Sequence, residues 1–186
     1  MTGVGEGSRR ISIVGSSGAG KSTLARTLEA RLGLRRLELD SVQHQPNWTP
    51  CEPDTFRAVV RDFVAGPSWV VDGNYTRVGA LDLVWDRAEL VVWLDLPHAL
   101  KTARIIRRSA KRVLRREALW NGNRERLREL VSLDPERNFI SWAHGNHPHV
   151  RQKYEARFAD PRWAGLAKVR LRSPAEVRAW VSRLPR

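Results

Sequence analysis

Residues Arg10 to Thr23, RISIVGSSGAGKST, decide the fold of this chain. The run from Ile11 to Val14 is apolar and rich in β-branched residues, as in a buried strand. The pattern G-x-x-x-x-G-K-[ST] follows, with its fixed positions filled by Gly15, Gly20, Lys21 and Ser22. Helical spacing then continues through Leu24, Leu28 and Leu32. A strand, a glycine-rich loop and a helix in this order are the context of a phosphate-binding loop, so the stretch predicts nucleotide binding.

The residue types in the loop suit that chemistry. Glycines let the backbone turn sharply and bring its N–H groups against phosphate oxygens, and the N-terminus of the following helix adds partial positive charge. Lys21 is the candidate catalytic cation for the β- and γ-phosphates, and Ser22 is a candidate ligand of Mg²⁺. The predicted cofactor-binding residues are Gly15, Ser16, Ser17, Gly18, Ala19, Gly20, Lys21, Ser22 and Thr23. The alternative is a Gly/Ser-rich turn that precedes a lysine by chance.

Length and composition favour one globular domain. The chain has 186 residues, which we divide into a flexible tail (1–9) and a single domain (10–186). Cys51 is the only cysteine, which excludes an intrachain disulfide and a cysteine-based metal cluster. No apolar run approaches the roughly 20 residues that span a bilayer, and the first eight residues do not resemble a signal peptide. We therefore expect a cytoplasmic protein without a membrane partner.

The positive charge is concentrated in one segment. The formal net charge is +13, and residues 101–128 hold eleven basic and two acidic side chains. Arginine outnumbers lysine 28 to 5, a bias that G- and C-rich coding can also produce. The charge predicts contact with phosphate groups, whether of a nucleotide or of a nucleic acid.

Strands and helices alternate along the chain. Further strands are predicted at 36–40, 69–72, 90–95 and 168–171. Helices are predicted at 53–65, from 98 to about 134 with an interruption near 121–123, within 138–160, and after the N-cap Ser173. This alternation predicts a parallel sheet covered by helices on both faces, with ligands beyond the carboxyl ends of its strands. Three acids fall at such ends: Asp40, Asp72 and Asp95.

Each acid has a functional and a structural interpretation. Asp72 is predicted to hold Mg²⁺ directly or through water and is, with Asp40, a candidate for orienting the acceptor substrate; the alternative is that it caps the turn at Gly73. Asp40 is predicted to accept the proton of a substrate hydroxyl or to anchor the substrate, or else to begin a turn. For Asp95, capping of the next helix is the preferred interpretation.

Two further groups are substrate or phosphate candidates. Trp48 lies in a loop and is predicted either to stack on a substrate ring or to pack internally. Arg104, Arg108, Arg112 and Arg115 share one helix face, where arginines of a mobile flap can neutralise phosphate charge. The residues we select are Arg108 for the cofactor and Arg112, Arg115 and Arg116 for catalysis; the alternative is a solvated charged face.

Several motifs together resemble the adenylate-kinase-like P-loop kinases. They are G-S-S-G-A-G-K-S-T (15–23), the acid Asp40, W-V-V-D-G-N-Y (69–75) and L-D-L-P (94–97), followed by the arginine-rich helix. The order of L-D, N-W-T-P, W-V-V-D-G-N-Y and W-L-D-L-P is similar to the bacterial DNA topology modulation proteins over most of residues 10–184. The resemblance implies a three-layer α/β/α P-loop NTPase of the nucleoside- and nucleotide-kinase type, with five parallel strands in the order 2-3-1-4-5.

The same resemblance implies how the substrates are held. It places a substrate-binding insert at 41–68 and an arginine-rich lid at about 101–150. It also gives Arg77 a phosphate-binding role in the acceptor site, at a spacing that differs from the family's Asp-Gly-Phe-Pro-Arg. The insert carries only Arg57 and Arg61, which does not favour AMP as the acceptor.

The sequence therefore predicts an ATP- and Mg²⁺-dependent phosphotransferase. Its acceptor would be a small molecule with a hydroxyl or phosphate group, such as a nucleoside, a nucleotide or a similar metabolite. The alternative is a nucleotide-regulated nucleic-acid-binding protein that uses residues 101–128, although no helix-turn-helix or zinc module is recognisable. A GTPase switch ranks last because no Asn/Thr-Lys-x-Asp element is found. The sequence does not determine the oligomeric state.

Overall fold

A five-stranded parallel sheet forms the centre of the protein, in a computed structural model that describes residues 9–76, 78–125 and 147–185. Its strands are β1 (Arg10–Val14), β2 (Arg35–Glu38), β3 (Trp69–Asp72), β4 (Leu90–Leu94) and β5 (Ala167–Leu171). They lie in the order β2-β3-β1-β4-β5, and every neighbouring pair is parallel. This confirms the predicted sheet and its strand order.

Helices cover both faces of the sheet. They are α1 (Lys21–Leu32), α2 (Leu39–Gln43), α3 (Pro53–Val64), α4 (Ala80–Trp85), α5 (His98–Leu114), α6 (His147–Ala159) and α7 (Pro174–Ser182). Short 3₁₀ turns occur at Pro46–Trp48, Trp120–Gly122 and Pro161–Trp163. The start of α7 follows the predicted capping signal, since Ser173 Oγ accepts the Glu176 N–H at 3.1 Å.

Two hydrophobic cores lie on opposite faces of the sheet because alternate strand residues point to opposite sides. The core under α1 and α7 includes Ile11, Ile13, Leu28, Val92 and Trp180. The core under α3, α4 and α6 includes Phe56, Val71, Trp85, Trp93 and Tyr154. The sheet is therefore buried on both sides, and its carboxyl edge is the place where polar groups can gather.

The strand register brings acidic residues together at that edge. Glu38, the last residue of β2, lies opposite Asp72, the last residue of β3, and Asp72 lies opposite Ile13 of β1. In-register residues of parallel strands point to the same face, so Glu38 and Asp72 stand side by side. The loop after β1 begins at this edge.

Two predicted boundaries were wrong. β2 ends at Glu38 rather than at Asp40, because Leu39 begins α2 and is fully buried against Gly73. Asp40 therefore lies in the first turn of a helix. The helix that begins at His98 ends at Leu114, before the interruption predicted near residues 121–123, and Arg116 follows it with a left-handed φ of 47°. Residues 126–146 lie outside the described part of the chain.

Within the described ranges, none of the helices is both long enough and apolar enough to cross a membrane.

Candidate active site

The glycines of the loop after β1 are required by close backbone contacts. A Cβ on Gly15 would lie 2.6 Å from the Leu94 carbonyl oxygen, and one on Gly18 would lie 2.5 Å from the Lys101 carbonyl oxygen. Both glycines also have positive φ angles, 142° and 75°. The loop is thus packed against the end of β4 and the first turn of α5, a fit that side chains at these positions would prevent.

The N-terminus of α1 faces the loop without a capping side chain. Gly20, in a left-handed conformation, is its N-cap, and no side chain accepts a hydrogen bond from the first turn. The first N–H groups of a helix lack intrahelical partners and attract anions. They belong here to Lys21, Ser22 and Thr23, so the predicted residues form the kind of cradle that a phosphate requires.

The Lys21 ammonium lies within this cradle. Its Nζ donates to the Ser16 carbonyl at 3.4 Å. Burial lowers the pKa of Lys21, and the negative charges of Asp40 and Asp72 oppose that shift. A partly desolvated cation held between a phosphate cradle and two carboxylates is placed to interact strongly with a phosphate.

Ser22 joins the loop to the carboxylates at the sheet edge. Its hydroxyl lies 3.0 Å from Glu38 Oε1 and 3.4 Å from Asp72 Oδ1. Glu38 is also paired with Arg36, at 3.5 Å. A hydroxyl beside two carboxylates is a set of hard oxygen donors, the kind that Mg²⁺ prefers.

Asp72 is the most deeply buried acid of the site. The residue is 1% exposed, and its Oδ2 has no hydrogen-bond partner among the described residues. Burial raises the pKa of Asp72 from 3.8 to about 7, although the Lys21 charge partly opposes the shift. An unpartnered buried carboxylate oxygen is costly unless a cation or a hydrogen-bond donor occupies the site. The residues present therefore fit a bound Mg²⁺–nucleotide, with Ser22 and Asp72 as candidate ligands or water anchors.

Asp40 is held by Tyr75. The Tyr75 hydroxyl donates to Asp40 Oδ1, and the ring packs 5.1 Å from that of Phe56. Burial, reinforced by the nearby Asp40 charge, raises the pKa of Tyr75, so this residue stays a donor. One oxygen of the Asp40 carboxylate is thereby fixed by a hydrogen bond.

Asn74 connects the end of β3 to the phosphate loop. Its side-chain amide donates to the Gly15 carbonyl at 2.6 Å and accepts from the Gly15 N–H at 3.3 Å. The same oxygen accepts from the hydroxyl of Tyr154, a fully buried residue of α6, at 2.7 Å. The Asn74 side chain therefore contacts the phosphate loop, whereas the Tyr75 side chain contacts Asp40.

Two arginines of α5 lie closest to the site. Arg104 Nη1 donates to the Ala19 carbonyl at 3.4 Å. Arg108 is half-buried, and its charge acts on Asp40 and Glu38. Burial lowers the pKa of Arg108, and its Nε has no hydrogen-bond partner within the described ranges. A half-buried guanidinium with an unpartnered N–H group is placed to receive an anionic ligand.

The other candidate arginines have different surroundings. Arg112 pairs with Glu125 at 2.7 Å, and both side chains are largely buried. Arg115 and Arg116 follow the end of α5 and are exposed. The structure therefore places Arg104 against the phosphate loop and the Arg108 charge near Lys21, engages Arg112 elsewhere and leaves Arg115 and Arg116 at the surface. Arg77 lies outside the described residues.

Trp48 contacts aromatic rings from two parts of the chain. Its ring lies 5.3 Å from His44 and 6.4 Å from Trp120, between ring centres. Its backbone N–H donates to Asn123 Oδ1 at 2.9 Å. The insert that carries Trp48 is thus joined to the segment after α5.

Asp95 takes part in a different interaction from the capping that was preferred. It is paired with Arg170 of β5 at 2.6 Å, and its side chain is 7% exposed. The Arg170 guanidinium also lies 4.0 Å from the centre of the Trp93 ring. The cap of α5 is Pro97, with no side-chain hydrogen bond. Asp95 therefore anchors β4 to β5.

Sequence reasoning missed Glu38, Asn74, Tyr75 and Trp120. Glu38 could have been identified from its position at the end of β2, but the sequence analysis placed that end at Asp40, two residues later. Asn74 and Tyr75 directly follow the Asp-Gly pair, so proximity to Asp72 could have identified them. Their partners, Gly15 and Asp40, lie 59 and 35 residues away, and no local pattern indicates such pairs.

The overall fold resembles those of known small-molecule kinases. A shikimate kinase from Acinetobacter baumannii, in complex with shikimate, matches with a TM-score of 0.58 and 17% identity, over 94% of this chain and 89% of that chain. A gluconokinase from Sinorhizobium meliloti 1021 matches with a TM-score of 0.52 and 17% identity, over 94% and 92%. At such identities the similarity establishes the fold alone.

No protein-family model and no curated protein matches the sequence. The resemblance to DNA topology modulation proteins accordingly stays a hypothesis. The chain has the fold of the nucleotide- and shikimate-kinase-like P-loop NTPases.

Proposed function

We propose that this protein is a kinase that transfers the γ-phosphoryl group of ATP to a small hydroxyl- or phosphate-bearing acceptor. The observation that carries the proposal is the grouping of Lys21, Ser22 and Asp72 at an uncapped helix N-terminus. A cation, a hydroxyl and a buried carboxylate around a phosphate cradle are the parts that phosphoryl transfer uses. Kinase activity in the two structural neighbours, named for shikimate and gluconate, is consistent with it.

The protein's own residues would act mainly by positioning and electrostatics. The backbone N–H groups of residues 15–23 would bind the phosphates, and Lys21 would contact the β- and γ-phosphoryl oxygens. Bound Mg²⁺ would offset charge on the phosphates, and Ser22 and Asp72 would hold it. Arg108 would approach the transferred group from α5.

The acceptor would lie on the side of Asp40. Its hydroxyl would donate to the Asp40 carboxylate, which Tyr75 holds in place. As the oxygen–phosphorus bond forms and the bond to the ADP oxygen breaks, the acceptor's proton would pass to Asp40. The net change is ATP and an alcohol to ADP and a phosphate ester.

Replacement of the phosphate-loop lysine tests the proposal. We expect Lys21→Ala to abolish Mg²⁺–ATP-dependent phosphorylation in a screen of nucleosides, nucleotides and sugars for stimulated ADP release. Lys168→Ala, which removes a lysine from the opposite end of the sheet, is the matched control. Thermal unfolding of both variants checks that they are folded. Equal ADP release by folded Lys21→Ala and wild-type protein would exclude the proposed site.

A further inference from the structure

The insert before α3 is attached to the segment after α5 by two asparagine side chains. Asn121 Nδ2 donates to the carbonyls of Ser41 at 3.3 Å and His44 at 2.6 Å. Asn123 Nδ2 donates to the Gln45 carbonyl at 2.9 Å. Asn123 is only 5% exposed, whereas Asn121 is exposed, so the attachment has a buried part and a surface part.

Trp48 has a strained backbone at this junction. Its φ is 60°, a left-handed conformation that is rare and unfavourable for a bulky side chain. Two hydrogen bonds maintain it, from the backbone N–H to Asn123 Oδ1 and from the indole Nε1 to the Arg124 carbonyl at 3.4 Å. The indole is consequently fixed in one orientation, and such strain is common at binding sites.

Three rings meet at the junction and form what we call the aromatic corner: His44, Trp48 and Trp120. His44 and Trp120 are stacked, with centres 5.4 Å apart and planes 25° apart. The Trp48 plane is nearly perpendicular to both, at 76° and 81°. All three residues are partly exposed. The Trp48 ring thus stands at right angles to the stacked pair of His44 and Trp120.

The aromatic corner lies one helical turn from Asp40. The His44 N–H donates to the Asp40 carbonyl at 3.0 Å, so His44, the residue that follows α2, lies one turn after Asp40. Asp40 is the carboxylate that Tyr75 holds and that the Arg108 charge reaches. From the phosphate loop outwards, the order is therefore Lys21, Asp40 and the aromatic corner.

We propose that the aromatic corner binds the ring of the acceptor, which is a cyclic, hydroxyl-bearing compound. The proposal rests on the proposed kinase function and narrows its substrate class. A ring whose face packs on fixed aromatic walls gains contact area with little loss of conformational freedom, whereas an open-chain polyol must order several rotatable bonds. The hydroxyl of such a ring would then meet Asp40, one turn away.

Acceptor kinetics test this subsite. ADP release with Mg²⁺–ATP is measured with three cyclic probes, adenosine, shikimate and glucose, and with two open-chain probes, gluconate and glycerol. We expect at least one cyclic probe, and neither open-chain probe, to stimulate release. For that probe, Trp120→Leu should raise the acceptor KM about 10-fold or more. Trp120→Phe, which keeps an aromatic ring, should have an acceptor KM close to the wild-type value. The KM for ATP should stay at the wild-type value in both.

Controls separate the subsite from general damage. Trp180→Phe, on α7 at the opposite face of the sheet, should leave the acceptor KM unchanged. If Trp120→Leu does not fold, His44→Ala removes another ring of the corner and should raise the acceptor KM in the same way. The assignment would be overturned if only the open-chain probes, or none of the probes, stimulated ADP release. An unchanged acceptor KM in folded Trp120→Leu would overturn it as well. If Mg²⁺–ATP itself failed to bind, the proposed kinase function would fail instead.

Discussion

The side-chain amide of Asn74 bonds both polar groups of the Gly15 backbone, at 2.6 and 3.3 Å. These two hydrogen bonds connect Gly15, at the start of the phosphate loop, to Asn74, which lies two positions after Asp72. Tyr75, the next residue, holds Asp40. The donor and acceptor sides of the site are therefore positioned by consecutive residues of one loop, and a shift of that loop would displace both.

Loss of the Asn74 amide should loosen the phosphate loop. We expect Asn74→Ala to raise the KM for ATP about 10-fold, since it removes two hydrogen bonds to Gly15 that together are worth about 1–3 kcal/mol. Steady-state kinetics with varied ATP measure this. Tyr154→Phe, which removes only the hydroxyl that bonds to the Asn74 oxygen, should have a smaller effect. A wild-type KM in Asn74→Ala would show that the loop holds its shape without this contact.

The Tyr75 hydroxyl should affect the acceptor and not ATP. Tyr75→Phe keeps the ring against Phe56 but removes the hydrogen bond to Asp40. We therefore expect the acceptor KM to rise several-fold, which corresponds to a loss of about 1 kcal/mol in binding free energy. The KM for ATP should stay unchanged. Because the hydroxyl acts through Asp40, Tyr75→Phe should cause little further loss in an Asp40→Asn background. Additive losses in this double-mutant cycle would show that the two residues act independently.

Local patterns were sufficient to predict a parallel sheet covered by helices, whereas the strand order 2-3-1-4-5 was predicted from the resemblance to adenylate-kinase-like P-loop kinases. The apolar run from Ile11 to Val14, the glycine-rich loop and the Ser173 cap are each recognised within a few residues, and the alternation of elements then restricts the topology. The ends of β2 and α5 were not predictable in this way. β2 ends where its register with β3 places Glu38 beside Asp72, and residues 115–121, directly after α5, contain neither glycine nor proline to mark the end of the helix.

The candidate residues of the phosphate side are contiguous in the chain, so the sequence alone groups them. The acceptor side depends on contacts between distant segments. Asn121 and Asn123 reach residues about 80 positions earlier in the chain, and the left-handed φ of Trp48 is maintained by such a contact. Neither feature leaves a periodic signal in the sequence, so Trp48 was recognised only as a tryptophan in a loop.

Asp72 should make ligand-free stability depend on pH. Its pKa of about 7 in the folded protein exceeds its value of 3.8 in the unfolded chain, so between these values the folded state binds the extra proton. The free energy of unfolding therefore falls as pH rises from about 4 to 7. Asp72→Asn lacks the titrating carboxyl, so its stability should not fall in this way. Relative to the wild-type Tm, the Tm of the variant should therefore be higher at pH 8 than at pH 5. Thermal unfolding without nucleotide measures this difference, and parallel pH profiles would contradict the buried-carboxylate interpretation.

The ionisation of Asp72 should also determine how kcat/KM falls on the acid side of the pH profile, the acid limb. The ionised form of Asp72 is the one that can hold Mg²⁺, so we expect kcat/KM for Mg²⁺–ATP to fall as pH drops through about 7. Asp72→Asn should show a low rate without that limb. An acid limb that persists in the variant would assign it to another group.

The surroundings of the arginines on and after α5 predict unequal roles. Arg108 is half-buried beside Asp40 and lacks a partner at Nε in the described part of the chain, whereas Arg115 and Arg116 are exposed. We therefore expect Arg108→Ala to lower kcat by about 100-fold or more, as for groups that stabilise developing phosphate charge. The double variant Arg115→Ala/Arg116→Ala should lower kcat less. Rates at saturating ATP and acceptor measure both effects.

DNA binding distinguishes a kinase lid from a nucleic-acid surface. The basic segment must retain some DNA at low salt, but contacts made only to phosphates weaken by roughly 10³-fold or more between 50 and 200 mM salt when six are made. If Arg108 and its neighbours serve the nucleotide, Mg²⁺–ATP should compete with DNA, and Arg108→Ala should abolish that competition. Arg115→Ala/Arg116→Ala should weaken DNA retention while most of the competition by Mg²⁺–ATP persists. Sequence-selective DNA binding that persists at physiological salt and does not respond to ATP would instead assign this segment to nucleic acid.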